Sequence, residues 1–382
     1  MFDGDPALNG KYTSPLLLIG GGADALSVRY ATSFEAPDPF LCLLKGKERH
    51  LLVSMLEFGR AQRLQGNITC HTPDSLSLST ADRRHLGKQA VALIRHLGVK
   101  RVYVSPQCPV GVVRELESEG LKVLVSPEPV FSSRMLKRED EIRSMRESQR
   151  AAVAAMKRAV EVIHRAGVDK KGRLLNGSGG VLTSEEVRLE IEKVLLERQC
   201  AADDIIVAGG DQGVDPHERG YGPLRVGETI VLDIFPYSKK TGYWGDMTRT
   251  VIKGQPTREQ LHLFQTVLSA QREAIRRVKP GVTGKEIHQG VVAAFKKAGY
   301  QTGLVDGIPQ GFIHSTGHGV GLEIHEGPSI GPSGGPLKAG HVITIEPGLY
   351  YLGVGGVRIE DTLVVTETGS SLLGRCRKVF QV

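Results

Sequence analysis

An acidic residue placed inside a run of β-branched and leucine side chains is costly, and this chain contains that arrangement twice in matching contexts. The segment TIVLDIFPYSKKTGYWGDMTRTVI (229–252) reads as a strand over Thr229–Phe235 with Asp233 inside it. A glycine-rich bend follows, and Asp246 opens a second strand over Met247–Ile252. The segment HVITIEPGLYYLGVGGVRIEDTLVV (341–365) repeats the plan with an apolar strand, Glu346, a glycine-rich bend, Glu360 and a further apolar strand. The acids are 13 residues apart in the first segment and 14 in the second.

A strand–turn–strand with one acid on each arm aims both acids at one spot. The two segments therefore predict two hairpins that pool four carboxylates and are related as an internal pseudo-repeat. An ionised carboxylate among apolar side chains needs positive charge to meet it. Four of them share a small volume only if some take protons or cations neutralise them. Two divalent ions cancel four negative charges, which favours a dinuclear site whose ions stand about 3.5–4 Å apart and clamp a hydroxide between them.

Between the hairpins, FIHSTGHGVGLEIHEGP (312–328) supplies His314, His318 and His325. A single histidine is more often structural, but three in a short glycine-rich segment point to a site. Gly317, Gly319 and Gly321 let the backbone approach a ligand closely around His318. An oxygen-rich shell with one imidazole suits manganese, iron or cobalt at least as well as zinc.

The length of 382 residues predicts two domains. Residues 1 to about 130 alternate short apolar runs (PLLLIG, FLCLL, HLLVSML, RVYVS, LKVLVS) with helical patterns at ADRRHLGKQAVALIRHLG and Val110–Glu119, an α/β plan. GGGADALS lacks the Gly-Lys-Ser/Thr of a phosphate loop, so Gly20–Gly22 reads as a turn. SPEPVFSSRMLK (126–137) is a connector. Beyond it, helices are predicted over Arg138–Arg165, Ser184–Arg198, Arg258–Val278 and Gly284–Ala298, with a capping box at Thr183 and Glu186.

Composition narrows the function classes. The net charge of +7 is a small excess of 49 basic over 42 acidic residues, with no long basic run and 5% aromatics, so nucleic-acid binding is not expected. Five scattered cysteines form no CxxC pair and predict neither a disulfide framework nor a zinc knuckle, which fits a reducing cytoplasm. The acidic start Met1–Asp5 lacks a signal-peptide layout, and no apolar run is long enough to span a membrane.

The motifs LDIF, GYWGDMTRT, HSTGHGVGLEIHE, TIEPGLYY and GVRIEDTLVVTETG together resemble the pita-bread metallohydrolases, the superfamily of aminopeptidase P, prolidase, creatinase and methionine aminopeptidase. They cover most of residues 205–370, in the family's ligand order Asp, Asp, His, Glu, Glu. The resemblance implies a creatinase-type N-terminal α/β domain over residues 1–132 and an α+β pita-bread catalytic domain over residues 133–382. It implies a dinuclear-metal hydrolase that cleaves the Xaa-Pro amide of short peptides through a metal-bridging hydroxide.

Residue by residue, it makes Asp233 a terminal ligand of one ion, Asp246 and Glu360 bridges, and His318 and Glu346 ligands of the second ion. Glu346 would also act as the base, and His325 would stabilise the developing oxyanion. His217 would be a further catalytic residue near the substrate, His314 would bind the substrate, and Arg358 and Thr248 would buttress the ligands from behind. Manganese or cobalt is expected, with zinc or iron as alternatives, in a cytoplasmic homodimer.

The first hairpin is about two residues longer than is usual in the family, over the tip Ser238–Thr241. The stretch GPSIGPSGGPLKAG carries only Lys338 where dipeptide-trimming prolidases often have an arginine. Longer peptides therefore stay open as substrates. So do a creatinase-like reaction on a small non-peptide C–N bond and, behind it, a non-catalytic binding protein.

Overall fold

The computed structural model describes residues 14–126, 129–305 and 307–382. The acidic N-terminus and Pro127–Glu128 of the connector lie outside the described residues. The chain divides into two units between Arg134 and Met135. None of the described helices is long and apolar enough to cross a membrane.

The first unit is built on a six-stranded sheet of β1 (Leu16–Gly20), β2 (Phe40–Lys45), β3 (Glu48–Leu52), β4 (Ile68–His71), β5 (Arg101–Val104) and β6 (Lys122–Val125). The spatial order is β4-β3-β2-β1-β5-β6. β1, β2 and β3 run antiparallel to one another, whereas β3–β4, β1–β5 and β5–β6 are parallel. Parallel neighbours need crossovers, supplied in part by helices α1 (Ala25–Thr32), α2 (Met55–Ala61), α3 (Leu86–His96) and α4 (Val110–Ser118). Leu17, Leu41, Leu43 and Leu52 of the sheet pack with Ala90, Leu93 and Ile94 of α3 and with Val112 and Leu116 of α4.

The expectation of one strand through HLLVSML is corrected. β3 stops at Leu52, and Ser54 opens α2. Met55 and Leu56, which lengthen the apolar run, are 64% and 86% exposed, so nothing on that stretch demands a strand.

The second unit repeats one construction. Helices α5 (Glu139–Arg165) and α6 (Ser184–Glu197) pack on an antiparallel sheet of β7 (Ile206–Gly209), β8 (Thr229–Ile234) and β9 (Met247–Ile252). Their core joins Met156, Ala159 and Ile163 to Ile191, Leu232 and Val251. Helices α7 (Arg258–Arg277) and α8 (Gly284–Lys297) pack on the second hairpin around Leu263, Val267, Ile287, Ile343 and Leu363. Three of these helices start with a threonine whose hydroxyl accepts from the backbone N–H three residues on: Thr183, Thr257 and Thr283.

The second hairpin is not one ribbon. A five-stranded sheet holds β10 (Gly317–Gly319), β11 (Glu326–Ile330), β12 (Val342–Ile345), β15 (Asp361–Val365) and β16 (Ser370–Leu372). The intervening β13 (Gly348–Tyr351) and β14 (Gly355–Arg358) pair only with each other. The register is unbroken: Ile345 faces Asp361 and Gly348 faces Arg358, so Glu346 stands opposite Glu360. The ladder parts there because Pro347 has no N–H to donate. Both acids thus leave the sheet at the gap between the ribbons instead of sitting inside a strand.

Candidate metal centre

In the first hairpin Asp233 pairs with Thr248. Asp246 lies two residues before Thr248 and so projects from the same face as Asp233, one diagonal step away. The two hairpins meet edge to edge: Glu360 N donates to Thr248 O at 3.1 Å, and Thr362 Oγ1 to Asp246 O at 2.7 Å. This seam gathers all four acids.

Several residues fix the backbone beneath them. The Gln149 side chain, on α5, pairs with the main chain of Asp246 as a strand would: Asp246 N donates to Oε1 and Nε2 donates to Asp246 O, both at 2.8 Å. Gly245 has to be glycine for α5 to come so near, because a Cβ there would lie 2.6 Å from Gln149 N. Arg249 donates to the carbonyl of Glu360 and, through Nη2, to Asp361 Oδ1 at 2.7 Å. The Trp244 indole donates to Leu322 O at 3.1 Å and so ties the first bend to the histidine segment.

That segment enters on β10. A Cβ on Gly317 would lie 2.1 Å from Thr344 O, so glycine is what lets β10 run against β12. His318 N donates to Thr344 Oγ1 at 3.1 Å, and His318 Nδ1 lies 3.1 Å from Gly319 O. A ring whose Nδ1–H faces a carbonyl leaves Nε2 as its lone-pair nitrogen. His318 Nε2 is 3.3 Å from Glu346 Oε1 and 3.7 Å from Asp246 Oδ2.

The electrostatics are those of an anion cluster. Burial and then the charges of Glu360, Asp233 and Glu346 push Asp246 well above the usual carboxylate range. Burial, with Glu346 and Asp233, raises Glu360 to about 8. Burial also pushes Glu346 up, but the hydrogen bond and charge of His318 override it and hold the group at about 2. Burial works against the His318 proton, yet Glu346 and Glu360 keep it to about 9.

Thr248 reports the same crowding. Its Oγ1 is 2.7 Å from Asp233 Oδ1 and 2.9 Å from Glu360 Oε2. One hydroxyl set between two carboxylate oxygens can give its proton to only one of them at a time, a crowding that a cation would relieve.

The donors fit divalent cations. Asp246, His318 and Glu360 each offer a ligand atom, all within 4.8 Å of one another. Oxygen donors with one imidazole, held as protonated acids in the absence of cations, are the set that hard and borderline divalent ions displace protons from.

Around the cluster, Arg358 is buried and spends all three nitrogens. Nη2 donates to Asp233 Oδ2 at 2.8 Å, Nη1 to Tyr350 Oη at 2.9 Å and Nε to Thr248 Oγ1 at 3.3 Å. Tyr350 Oη is also 2.8 Å from His314 Nε2, while His314 Nδ1 is 2.7 Å from the Ser315 carbonyl. The carbonyl fixes the proton on Nδ1, so Tyr350 donates to Nε2 and accepts from Arg358. Burial lowers the proton affinity of His314.

His325 is exposed and meets the His318 ring edge-on at 4.4 Å. Partial enclosure of its ring by the neighbouring groups and the His318 charge lower its proton affinity. His217 is exposed on the loop after β7, and its charge is felt at both His314 and His325.

Asp233, Asp246, His318, Glu346 and Glu360 thus lie together, with Thr248, Arg358, His314 and His325 around them. Among the described residues, His217 is linked to the cluster only through its influence on His314 and His325. Lys338 is exposed, with its backbone N–H on His341 Nδ1 at 3.1 Å, so it is a turn residue. The added tip of the first hairpin is absorbed locally: Tyr237–Ser238 pairs with Cys200–Ala201. Tyr350, Gln149, Arg249 and Asp361 are the supporting residues that motif reading omits. Gln149 does leave a signal, being a polar residue in the apolar phase of α5 set by Ile142, Met145, Met156 and Ile163.

Residues 143–367 match the profile of metallopeptidase family M24. An Xaa-Pro dipeptidase of Pyrococcus horikoshii is 31% identical over 290 residues, 74% of this chain and 75% of that protein. The crystal structure of a prolidase from P. horikoshii OT3 superposes with a TM-score of 0.78 at 27% identity, covering 96% of this chain and 94% of that one. An X-Pro aminopeptidase from Thermotoga maritima matches equally well, with a TM-score of 0.78, 26% identity and 97% and 96% coverage. The fold is accordingly the mixed α/β architecture of the two-domain pita-bread enzymes. With a profile match over more than half its length and a relative of this identity, the chain belongs to metallopeptidase family M24.

Proposed function

We propose that the chain hydrolyses the amide bond preceding proline in short peptides. The observation that carries this reading is the meeting of Asp246, His318 and Glu360 donor atoms within 4.8 Å, in a chain similar to an Xaa-Pro dipeptidase. Asp233, Asp246, His318, Glu346 and Glu360 would hold two divalent ions. Their oxygen-rich set favours manganese or cobalt, with zinc or iron next. When bound, such ions polarise the scissile carbonyl and make water acidic enough to attack at neutral pH.

The chain's own groups do the rest. Glu346, whose Oε1 lies 3.3 Å from His318 Nε2 in the cluster, takes the proton of the attacking water. His325, exposed beside His318, donates to the oxygen that gains charge. His314 and His217 flank the peptide, the first oriented by Tyr350. Arg358 and Thr248 keep Asp233 aimed at the cluster.

By the same resemblance we assign residues 1–132 as a creatinase-like domain and residues 133–382 as the pita-bread catalytic domain. The protein is read as a cytoplasmic homodimer whose partners are peptides. Protein stripped of metal and reloaded with manganese should cleave Ala-Pro and leave Ala-Ala nearly untouched. Equal rates on the two, or full activity in metal-free protein, would overturn the assignment.

A further inference from the structure

The N-terminal unit carries an imidazole cluster of its own. β3 and β4 are parallel, with His50 level with Thr69 and Leu52 level with His71. His50 and His71 therefore project from one face of the sheet, a diagonal step apart. Both are buried, at 6% and 8% exposure, and His50 Nδ1 lies 3.3 Å from His71 Nε2. His96, the last residue of α3, brings its ring to 5.4 Å from the His71 ring at 73°.

Three observations bear on what this group is for. First, Glu48 Oε2 is 3.3 Å from His50 Nε2, so the carboxylate accepts from Nε2–H and leaves the Nδ1 lone pair facing His71. A carboxylate on the outer nitrogen of an imidazole is the usual support of a metal-ligating histidine. Second, two imidazole nitrogens bound at about 2.0–2.1 Å to one tetrahedral ion stand about 3.3–3.4 Å apart. The observed separation of 3.3 Å matches this. Third, the cluster lies at the carboxyl end of α3, where helix carbonyls favour positive charge. Lys45 Nζ already sits on the Leu97 carbonyl there, at 3.3 Å. Burial and the two neighbouring rings also hold His71 unprotonated, down to about 4, as a ligand must be.

We propose that His50, His71 and His96 form a binding site for a borderline divalent transition-metal ion of the zinc, nickel and copper class, with water completing the shell. As they stand the three rings do not each bring a nitrogen within 4.8 Å of the others, so His96, which is exposed, would have to turn its ring to supply the third nitrogen. The ion would clip the β3–β4 edge of the sheet to the end of α3. The site is independent of the metallopeptidase reading, because none of its residues belongs to the carboxylate cluster. Its all-imidazole donors also select differently from that cluster's oxygens.

The test uses the full chain, first saturated with Mn²⁺ and then titrated with Ni²⁺, following Ni²⁺ uptake, Mn²⁺ release and broadening of imidazole C–H resonances. One further equivalent of Ni²⁺ should enter without Mn²⁺ release and broaden the signals of His50, His71 and His96. His71→Gln should abolish that uptake, and His96→Ala should weaken it at least about tenfold. His318→Ala should leave it intact. No added uptake, or uptake matched by Mn²⁺ release and unchanged in His96→Ala, overturns the proposal. His96 is exposed at a helix end, so its variant decides the matter even if His71→Gln fails to fold.

Discussion

Arg358 donates through Nη2 to Oδ2 of Asp233 at 2.8 Å, with only 4% and 13% of the two side chains open to solvent. The same guanidinium reaches Tyr350 and Thr248, so its fork geometry matters as much as its charge. Arg358→Lys keeps the charge but cannot reach three acceptors, and metal affinity should fall about 10–100-fold. Arg358→Met strands a buried carboxylate and should cost about 3–5 kcal/mol in the metal-free protein. Denaturant titrations with and without manganese check both; a lysine variant with undiminished metal affinity would show that charge alone suffices.

Tyr350 stands between Arg358 and His314, donating to one and accepting from the other. Tyr350→Phe removes the hydroxyl and leaves His314 Nε2 without its donor. A lost buried partner costs about 1–3 kcal/mol. If His314 acts on bound substrate, the variant should lose kcat about 10-fold or more with metal content unchanged. Nitrogen NMR of the imidazole should show the Nε2 resonance shifted by loss of its hydrogen bond, with the proton still held on Nδ1 by the Ser315 carbonyl. Unaltered kcat together with an unshifted Nε2 resonance would remove Tyr350 from the site.

Metal affinity should rise with pH. Without cations Glu360, raised to about 8, and His318, raised to about 9, both carry protons at neutral pH. Ligation needs both deprotonated. Raising the pH through 8 and then 9 removes this competition, so the apparent affinity should climb across that window. Below it, binding should release protons. Calorimetry in buffers of different ionisation enthalpy measures the release directly; a release of zero at neutral pH would mean that the acids are already ionised.

The acids of the cluster are legible in the sequence because Asp233, Asp246, Glu346 and Glu360 each interrupt an apolar run, a violation of patterning that folds tolerate at functional sites. The helices are legible too, through their 3.6-residue phase and threonine caps. The parting of the second hairpin at Pro347 is not, since a proline can equally mark an edge or a break, and only the pairing decides. Tyr350 and Arg249 read as ordinary strand residues. Their roles depend on partners 36 and 112 residues away, His314 and Asp361, which periodicity cannot connect. The α2 helix is hidden for the opposite reason: its exposed Met55 and Leu56 mimic a buried strand.

Gln149 offers a test of how the scaffold aims a ligand. Its two hydrogen bonds to the main chain of Asp246 are wholly buried. Gln149→Leu keeps the volume and strands one donor and one acceptor, so stability should fall by about 2–4 kcal/mol, at about 1–3 kcal/mol for each group less the gain of an apolar side chain. Gly245→Ala should be worse, because its Cβ meets helix backbone that cannot move aside. Thermal and chemical denaturation rank the two, and a Gly245→Ala protein of normal stability would show that α5 can shift.

Substrate length follows from what lies beyond His314. A cavity of about 580 Å³ adjoins it, walled by Leu304, Pro309, Phe312, Ile313 and Pro332 with His288 and Thr302. None of its described lining residues is a lysine or arginine, and burial lowers the proton affinity of His288. Lys338, the sole cation between His325 and Glu346, is an exposed turn residue beside His341. Among the described residues of this region, nothing is therefore poised to hold the free carboxylate that follows proline in a dipeptide. An arginine clamp on a carboxylate contributes about 1.5–3 kcal/mol, and without it the preference for dipeptides should shrink by roughly the corresponding 10–100-fold. Ala-Pro-Ala should be cleaved at a kcat/KM within about tenfold of Ala-Pro, and the pocket should favour an apolar residue after proline over an acidic one. Rates on Ala-Pro, Ala-Pro-Ala, Ala-Pro-Leu and Ala-Pro-Asp decide the matter. Activity confined to Ala-Pro would mean that a positive group outside this cavity reads the carboxylate.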